Sequence, residues 1–430
     1  MIFVYNFLQI LLLVIGFPIL FLFVGIKKKY RCRIVQRLGF GIQNLFNTPP
    51  GQEKKVIWIH ALSVGEVTSA LPLIKGLREE IQDTFIVFSA STKTGVEVAE
   101  KNILPFADCI ISAPLDLLFS VNRFIQSIQP DLFILVETDF WPNWIARLRQ
   151  KKVPMMLVNG RISKHSFTTY QRFRFFFSPL FQSFSLLSMQ TGQDAAQMTQ
   201  LGIPADKIIT LGNLKYDTAL SVDENKSAIH KSDLHLPDDC IIWLCGSTHP
   251  GEEEIIFDAF KQVKKENDRL VLIVAPRDPD RGNEIMKIAA KTGFPATRRT
   301  SPDNRPASVL ILDTIGELTR CYRLAKVAFI GGSLVPCGGH NPLESAVYGV
   351  PVIFGPHMDD FQEIAGDIVR CGAGITVHSS EELTRTVKKI LGDETFHAAM
   401  GKAAIQLVKN NSGVVSRHII EIKKLLGQPS

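Results

Sequence analysis

Several carboxylates and one lysine follow apolar runs in the first half of the chain, where side chains can reach a ligand. Glu66 lies in the segment H-A-L-S-V-G-E, and it could take a proton from an attacking hydroxyl as a general base. Ser63 and Glu66 also have the S-x-x-E spacing of a helix capping box, so a purely structural role stays open. Glu137 and Asp139 in E-T-D-F-W-P-N would be costly if they were buried without partners. Lys215 in G-N-L-K-Y-D can oppose an anionic substrate group, although alone it is typical of a solvated lysine.

The second half contains a glycine-rich stretch, A-F-I-G-G-S-L-V-P-C-G-G-H-N-P-L-E-S, at residues 328–345. It predicts a buried strand, a turn, and a helix with Asn341 at the N-cap, Pro342 at N1 and Glu344 at N3. Glycines let a phosphate or sugar approach the main chain, and helix N–H groups favour negative charge. The glutamate suits the two hydroxyls of a ribose. A nucleotide site and an ordinary strand–loop–helix joint with a capping glutamate both fit this stretch.

Other polar loops of the second half repeat this arrangement. Arg277 in A-P-R-D-P-D-R offers a planar cation for a phosphate or carboxylate. The segments at 246–253 and 313–318 place glycines and acids at predicted helix starts. Helix capping explains any one of these loops. Because nearly every strand exit is polar, we favour a ligand-filled cleft between two domains.

Short apolar runs that alternate with helical patterns predict β-α units and parallel sheets. In the first half, the predicted strands are Val56–His60, Phe85–Ser89, Cys109–Ser112, Leu132–Val136, Pro154–Val158, Leu186–Met189 and Ile208–Thr210. In the second half, they are Ile241–Cys245, Leu270–Val274, Val309–Ile311, Val327–Ile330, Pro351–Phe354 and Gly374–Val377. The predicted helices are Val67–Glu80, Leu117–Ile128, Glu381–Leu391, Thr395–Leu407 and Val415–Leu426.

These elements predict two domains of one α/β class. The polar segment 223–240 is the expected linker between a first domain at 27–222 and a second at 241–430, whose last helix can pack back on the first domain. A chain of 430 residues, 46% hydrophobic and 21% charged, is long enough for two cores. The net charge of +6 is mild, and we expect no nucleic-acid partner. Seven cysteines without a C-x-x-C pair favour a reducing compartment, and no spacing predicts a metal site.

The N-terminal residues 1–26 are predicted to anchor the protein to a membrane. Residues 2–25 contain no charge, and at ~1.5 Å per residue they can cross a ~30 Å hydrocarbon layer. Six basic residues within 27–37 follow, so the body is expected on the cytoplasmic side. A removed signal peptide is the weaker alternative. Pro18 is expected to interrupt the helix, which leaves open whether the segment spans or only dips into the membrane.

A phenylalanine-rich segment, 173–184, has helical spacing, with Arg172 and Arg174 on either side of its first phenylalanine. It predicts either a helix whose apolar face lies in the core or an apolar and basic surface for a lipid.

The seven motifs, read in order, closely resemble the Kdo transferases of lipid A biosynthesis. They are H-A-L-S-V-G-E, E-T-D-F-W-P-N, N-G-R-I-S, G-N-L-K-Y-D, S-T-H-P-G-E-E, D-T-I-G-E-L and F-I-G-G-S-L-V-P-C-G-G-H-N-P-L-E. The resemblance covers nearly the whole chain. It implies a GT-B glycosyltransferase with two Rossmann-like domains facing across a cleft and an N-terminal membrane-anchor helix.

The resemblance also implies the reaction and its residues. Such enzymes transfer 3-deoxy-D-manno-octulosonic acid (Kdo) from CMP-Kdo to lipid IVA or Kdo-lipid IVA at the cytoplasmic face of the inner membrane, without a metal or other cofactor. Glu66 is similar to the family's proton acceptor, and Glu137 and Lys215 to its transition-state stabilisers. The implied CMP contacts are Pro276, Arg277, Ile315, Gly316, Glu317, Asn341, Pro342, Leu343 and Glu344.

Three positions depart from the family pattern. Ile315 replaces a usual methionine, Asp139 a glutamate and Gly160 a common alanine; Ile315 can still contribute its backbone, and Asp139 is shorter than glutamate by one methylene. Another GT-B enzyme, such as a heptosyltransferase, an N-acetylglucosaminyltransferase or a sugar-nucleotide epimerase, remains an alternative, as does a membrane-tethered binding protein without turnover. The number of Kdo residues added, their linkages and the oligomeric state stay open.

Overall fold

The computed structural model describes residues 2–26, 34–43, 54–137, 140–221, 229–301 and 307–428, with side chains in the first range described only as far as residue 16. The chain divides into two compact units, one of residues 1–218 with 413–430 and the other of residues 219–412. Each unit contains a seven-stranded sheet of parallel strands with helical crossovers. This is a two-domain α/β architecture of the GT-B-like kind. The predicted linker, 223–240, lies partly outside the described residues.

The first unit has the strand order β3-β2-β1-β4-β5-β6-β7. Its strands are β1 Lys55–Ala61, β2 Thr84–Ala90, β3 Cys109–Ser112, β4 Leu132–Val136, β5 Met155–Gly160, β6 Leu186–Met189 and β7 Ile208–Thr210. Its helices are α1 Ile2–Ile26, α2 Val64–Glu80, α3 Lys93–Asn102, α4 Leu118–Ile128, α5 Pro142–Gln150, α6 Lys164–Arg172, α7 Arg174–Phe181, α8 Gly192–Gln200 and α9 Lys215–Ser221, whose last residues belong to the second unit.

The sheet of the first unit is buried on both faces because its strands are nearly continuous apolar runs. Successive side chains point to opposite faces, so Trp58 joins a cluster with Phe133 and Trp144 on one face. Ile57 and Ile59 join the cluster on the other face. Helices cover both faces, as expected for an all-parallel sheet.

The second unit has the strand order β10-β11-β9-β8-β12-β13-β14. Its strands are β8 Ile241–Thr248, β9 Leu270–Pro276, β10 Ala296–Arg298, β11 Val309–Ile311, β12 Val327–Ile330, β13 Val352–Phe354 and β14 Gly374–Thr376. Its helices are α10 Glu252–Lys264, α11 Gly282–Thr292, α12 Leu318–Tyr322, α13 Leu343–Ala346, α14 Gln362–Arg370, α15 Ser380–Gly392 and α16 Glu394–Asn411. The final helix, α17 Val414–Leu425, belongs to the first unit.

Every predicted strand is present, with ends that differ by at most three residues. The sequence did not predict β10, because its three residues, A-T-R, form no apolar run. Helix α17 packs on α2, where a side chain at Gly76 would collide with Val415 and Ile419. Asp217 accepts hydrogen bonds from the backbone N–H groups of Gly413 (2.8 Å) and Val415 (2.7 Å), which fixes the start of α17.

The N-terminal segment is helical from Ile2 to Ile26, and the helix continues through position 18, where the sequence predicted an interruption. Proline removes one backbone donor but does not force a helix to end. Within the part of the chain that the structure describes, no helix combines the length and apolar character needed to cross a membrane. The exposed apolar side chains of α1 include Phe3 and Phe7.

The phenylalanine-rich segment begins at a break in the chain. Helix α6 ends at Arg172, directly before the segment, and α7 contains residues 174–181 of it. Phe181 and Phe184 are fully buried in the core, whereas Phe173 and Phe175 are exposed. The buried pair fits the predicted core-facing helix, and contact of the exposed pair with a lipid stays a prediction.

Candidate active site

In the first unit, Glu66 and Glu137 follow the two strands at which the strand order reverses. Strands β1 and β4 are neighbours at the centre of the sheet, with His60 paired to Leu135. In open α/β sheets, ligands bind outside the carboxyl ends of the strands at such a reversal. Two carboxylates therefore stand at the position where this fold places chemistry.

Glu66 points back toward the end of β1. Its carboxylate accepts a hydrogen bond from the backbone N–H of Leu62, and the side chain is partly buried. Ser63 occupies the N-cap of α2, but its hydroxyl makes no capping hydrogen bond. The capping-box alternative is therefore wrong. In a capping box Glu66 would accept the N–H of Ser63 and the Ser63 hydroxyl would accept the N–H of Glu66, whereas here Glu66 accepts the N–H of Leu62 and the serine hydroxyl forms no capping bond.

Glu137 is held in an unusual backbone conformation directly after β4. Its φ is +62°, and Asn159 at the end of β5 has a φ of +59°. Both lie in the left-handed region, which non-glycine residues rarely adopt and which often marks functional sites. Asn159 is fully buried and donates from Nδ2 to Oε1 of Glu137 over 3.3 Å.

A chain of buried amides continues from Asn159 to Lys215. The carbonyl of Asn159 accepts a hydrogen bond from Gln190 (2.9 Å), and Gln190 accepts one from Asn213 (2.9 Å). Oδ1 of Asn213 accepts the backbone N–H of Lys215 at 3.0 Å. Asn159 also accepts the N–H of Leu214 at 3.0 Å. The structure thus ties Glu137 and the start of α9, which carries Lys215, to one buried network.

The start of α5 is fixed by Asp116 and by the N-terminal helix. The Asp116 carboxylate accepts the N–H groups of Asn143 and Trp144 at 3.1 to 3.2 Å, and the hydroxyl of Tyr5 at 2.8 Å. Asn6 and Asn143 exchange side-chain hydrogen bonds at 2.9 Å. Asn143 ends the motif that begins at Glu137, so α1 is joined to the end of that motif. Asp139 lies outside the described residues.

The second unit presents main chain rather than side chains at its own reversal of strand order, between β8 and β12. The glycine-rich loop after β12 is held by Glu252, which is fully buried. Its two oxygens accept the N–H groups of Gly332 (2.7 Å), Ser333 (2.9 Å) and Leu334 (2.9 Å). At Gly331, a side chain would collide with the backbone of Ser247. The loop is therefore preformed, and only glycine fits against β8.

Two histidines lie beside this loop. Nε2 of His249 and Nε2 of His340 are 2.9 Å apart, and the rings lie within 13° of parallel. One of the two nitrogens must carry a hydrogen and the other must accept it. Burial, together with the charge of Arg277, lowers the pKa of His340 to about 4. Arg277 is exposed, and its backbone N–H donates to Thr248 over 3.0 Å.

The helix predicted at Asn341 is shorter than expected and begins later. Helix α13 has four residues, and its N-cap is Pro342 rather than Asn341. Oδ1 of Asn341 still accepts the N–H of Leu343 at 3.1 Å. The helix ends at Ala346, and the chain turns at Gly349 (φ +70°). A helix of one turn has a small dipole, so the expected attraction of an anion to its N-terminal end is not supported.

Glu344 does not reach back to the cap either. Its Oε2 accepts a hydrogen bond from Thr319 at 3.3 Å. Burial raises the pKa of Glu344, and the Thr319 hydrogen bond and the Arg277 charge oppose that rise. Glu344 is partly buried, and a carboxylate with few partners retains capacity for hydroxyl donors from a ligand.

The remaining predicted nucleotide contacts differ in their exposure and in the hydrogen bonds that they already form. Ile315 is 87% exposed, and Gly316 has a φ of +88°. Glu317 pairs with Arg299 at 3.0 Å and accepts a hydrogen bond from Thr314, and these partners lower its pKa. Its carboxylate is therefore engaged in holding the loop.

A cavity of about 440 Å³ in the second unit lies elsewhere, beyond β13, and is lined by residues such as Phe354, Met358 and Thr376. It contains none of the predicted nucleotide contacts. Among the described residues, no cluster of three or more histidine, cysteine or acidic side chains is arranged to hold a metal ion.

The sequence analysis missed the residues that support the site. Asn159, Asn213 and Glu252 lie within the quoted motifs, yet their partners are far apart in sequence. One signal could have identified these residues: polar residues that directly follow a strand tend to lie at the ligand edge of the sheet. Gln190 is an example, because it directly follows β6.

Comparison with known proteins identifies the family. The model of the 3-deoxy-D-manno-octulosonic-acid transferase (kdotransferase) family matches residues 33–218. The 3-deoxy-D-manno-octulosonic acid transferase of Haemophilus influenzae is 33% identical over 98% of this chain and 99% of its own. That of Aquifex aeolicus is 31% identical over 79% of this chain and 86% of its own.

Among solved structures, the UDP-GlcNAc 2-epimerase of Neisseria meningitidis bound to UDP-GlcNAc matches 87% of this chain and all of its own. Its TM-score is 0.62 at 13% identity, so the likeness shows the fold alone. The sequence relatives carry the assignment: with 33% identity over nearly the entire length, the chain belongs to the 3-deoxy-D-manno-octulosonic acid (Kdo) transferase family and is a glycosyltransferase.

Proposed function

We propose that this chain transfers Kdo from CMP-Kdo to lipid IVA, or to Kdo-lipid IVA, in lipopolysaccharide biosynthesis. In one displacement, the acceptor hydroxyl oxygen bonds to the anomeric carbon of Kdo and the bond to the phosphate oxygen breaks. The electron pair leaves with CMP, and Glu66 takes the hydroxyl proton. Supporting this assignment, Glu66 follows β1 at the reversal of strand order, beside the strand that leads to Glu137.

The buried network between Glu137 and Lys215 carries the proposal. Glu137 supplies negative charge for the oxocarbenium-like sugar, and Lys215 meets the Kdo carboxylate or the departing phosphate. Both groups need fixed positions, because electrostatic stabilisation depends on preorganised charges. The hydrogen bonds from Asn159 through Gln190 to Asn213 provide that support.

For the donor, we propose that CMP binds to the second unit. Arg277 meets the phosphate and Glu344 meets the ribose hydroxyls, beside the glycine-rich loop that Glu252 holds in place. The other contacts are Pro276, Ile315, Gly316, Glu317, Asn341, Pro342 and Leu343. Glu317, which is paired with Arg299, contributes through its backbone.

We further propose that the N-terminal helix anchors the enzyme to the inner membrane, with the catalytic body on the cytoplasmic side. The support is the uncharged run 2–25 and the basic residues that follow it. The lipid acceptor also resides in a membrane, so an anchored enzyme meets it by lateral diffusion.

The experiment combines the purified full chain with CMP-Kdo and lipid IVA in detergent micelles and follows CMP release. Mass spectrometry of the lipid product gives the number of Kdo units added. We expect one or more Kdo increments and competition by CMP but not by UDP or ADP.

Two results would replace the proposal with an alternative. Binding of UDP or ADP in preference to CMP would indicate another GT-B enzyme, such as an epimerase or heptosyltransferase. CMP binding without release of CMP from CMP-Kdo would indicate a membrane-tethered binding protein. For the anchor, a chain that starts after residue 26 and still sediments with inner membranes would contradict the proposed attachment.

A further inference from the structure

An apolar cavity of about 470 Å³ lies in the first unit between α1, the start of α4 and the second half of α5. Ligand pockets commonly have volumes of about 300–1,000 Å³. Its lining residues are Ile2, Phe3, Asn6, Phe7, Ile10, Leu118, Ala146, Arg147 and Gln150. We propose that this cavity holds one acyl chain of the lipid acceptor. The inference rests on the proposed function, because it requires a lipid acceptor.

The cavity persists because α1 is held by its polar face. Tyr5, Asn6 and Gln9 lie on one side of the helix, and all three form hydrogen bonds with Asp116 or Asn143. These bonds prevent α1 from rolling toward α5 and filling the space. The helix therefore stands away from α5 on its apolar side.

The apolar side of α1 is left uncovered by protein. Phe3, Phe7 and Ile10 line the cavity and are 83%, 60% and 59% exposed. Exposed apolar side chains that share one wall of a cavity favour an apolar ligand. The amide of Asn6, the only polar side chain of α1 in the wall, is already bonded to Asn143. An alkyl chain matches this wall, whereas a sugar or a nucleotide would find few hydrogen-bond partners along it.

Helix α5 contributes the polar side chains of the wall. Arg147 and Gln150 both line the cavity, and the guanidinium group of Arg147 donates a hydrogen bond to Gln150. Because these two polar groups are partnered with each other, the wall as a whole favours an apolar ligand.

The position on α5 favours the acceptor over a bulk membrane lipid. Helix α5 starts at Pro142, directly after the loop that begins at Glu137, and Ala146 follows one turn later, about 6 Å along the axis. A chain seated there would hold the attached sugar near the strand ends that carry Glu66 and Glu137. A phospholipid in the same cavity would gain nothing from that position.

The test fills the cavity with the substitution Ala146→Phe in the full chain. Initial rates are measured in dodecyl maltoside with lipid IVA and with the same phosphorylated disaccharide lacking acyl chains. Each methylene excluded from the cavity weakens binding by about fourfold, so we expect a KM for lipid IVA raised by roughly tenfold or more. The KM for CMP-Kdo and the rate with the acyl-free acceptor should not change.

A matched control places the same change on an exposed helix of the second unit, Ala399→Phe, which should alter neither acceptor. If Ala146→Phe fails to fold, Ile10→Ser on the exposed face of α1 tests the same wall and should also raise the KM for lipid IVA. An unchanged KM for lipid IVA, or an equal loss with both acceptors, would overturn the acyl-chain site. No transfer by the wild type to either acceptor would instead refute the proposed function.

Photo-crosslinking separates the two sources of an acyl chain. Lipid IVA with a diazirine in one chain should label peptides 2–10 and 146–150, and excess unlabelled lipid IVA should suppress the labelling. A diazirine phosphatidylglycerol in the same micelles should label them weakly. Equal labelling by phosphatidylglycerol that lipid IVA does not suppress would assign the cavity to a membrane lipid and overturn the inference.

Discussion

The two units share a parallel sheet of seven strands but differ in what they present at the reversal of strand order. The first unit presents side chains: Glu66, Glu137 and the start of α9 at Lys215, with buried amides between the last two. The second unit presents backbone, in a glycine-rich loop held from behind by the buried Glu252.

This difference indicates a division of labour. Proton transfer and charge stabilisation require ionisable side chains close to the reacting atoms, whereas binding of a nucleotide requires a rigid loop and the few side chains beside it, here Arg277 and Glu344. It also predicts that mutations will act differently in the two units. In the first unit, substitutions should change kcat, and in the second they should change donor affinity or stability.

The largest effect should come from Glu66→Ala, which removes the proposed proton acceptor. We expect the rate to fall by about 10²–10⁴-fold, the usual contribution of a general base, while CMP binding survives. Single-turnover rates and CMP titration by calorimetry separate the two quantities. If CMP binding is lost as well, the bond from Leu62 N–H to Glu66 is structural and Glu66 is not the base.

Glu252→Gln should destabilise the second unit more than it changes chemistry. The amide group of glutamine would face backbone donors that now share two carboxylate oxygens, so at least one buried N–H loses its acceptor. We expect a loss of about 3–5 kcal/mol in the free energy of unfolding, measured by urea denaturation. The exposed Glu254→Gln on the same helix is the control. A fully stable Glu252→Gln protein with normal CMP affinity would contradict the account of a preformed loop.

Asn159→Gly tests whether the buried network positions Glu137. Glycine adopts the φ of +59° without strain, so the change removes the side chain and keeps the backbone. Misplacing a catalytic group by about 1 Å can cost up to ~10²-fold, and we expect a loss of that order or less in kcat with an unchanged KM for CMP-Kdo. Lys152→Gly, at a φ of +58° on an exposed turn, should be neutral. A raised KM with normal kcat would assign Asn159 to binding instead.

The elements were largely predictable because each strand except β10 is a distinct apolar run between polar loops. The order of the strands was not, because pairings such as β1 with β4 join residues about 75 positions apart, Ile57 with Leu132 for example. At 341–344 the local signals for a helix start were correct in kind, since Asn341 does accept the N–H of Leu343. The turn at Gly349 sets the length of that helix, and the capping pattern carries no information about it.

The sequence nominates candidate reactive residues, and it gives no indication of the contacts that support them. Glu66, Glu137 and Lys215 stand in quoted motifs, and the structure puts all three at strand exits of one sheet. The contact of Asn213 with Gln190 spans 23 residues and depends on the pairing of β6 with β7, which a linear reading does not contain. The partners of Glu252 are also distant in sequence, at residues 332–334, so the sequence alone indicates only an acid at a helix start.

The smallest expected effect compares two histidines with lowered pKa values, one in each unit. In the first unit, burial lowers the pKa of His418 to about 4, and the ring bonds Ser188 and the Val414 carbonyl, each at 2.8 Å. A depressed folded pKa means that the unfolded chain binds the proton first, so stability present above pH ~6.5 is lost as the pH falls toward 4. Between pH 7 and pH 5, we expect His418 to account for a loss of about 2 kcal/mol, measured by urea unfolding.

His418→Gln should abolish that part of the pH dependence, and the exposed His165→Gln should retain it. His340 in the second unit has the same lowered pKa, but it lies beside the proposed donor site and shares a hydrogen with His249. Acid should therefore act on the two units through different properties: unfolding in the first, and donor binding as well as unfolding in the second. CMP affinity is therefore measured at pH 7 and pH 5 in the wild type and in variants of His418 and His340. If His418→Gln alters its pH dependence and a substitution of His340 does not, the proposed separation of stability from ligand binding fails. A core residue of the first unit would then control the nucleotide.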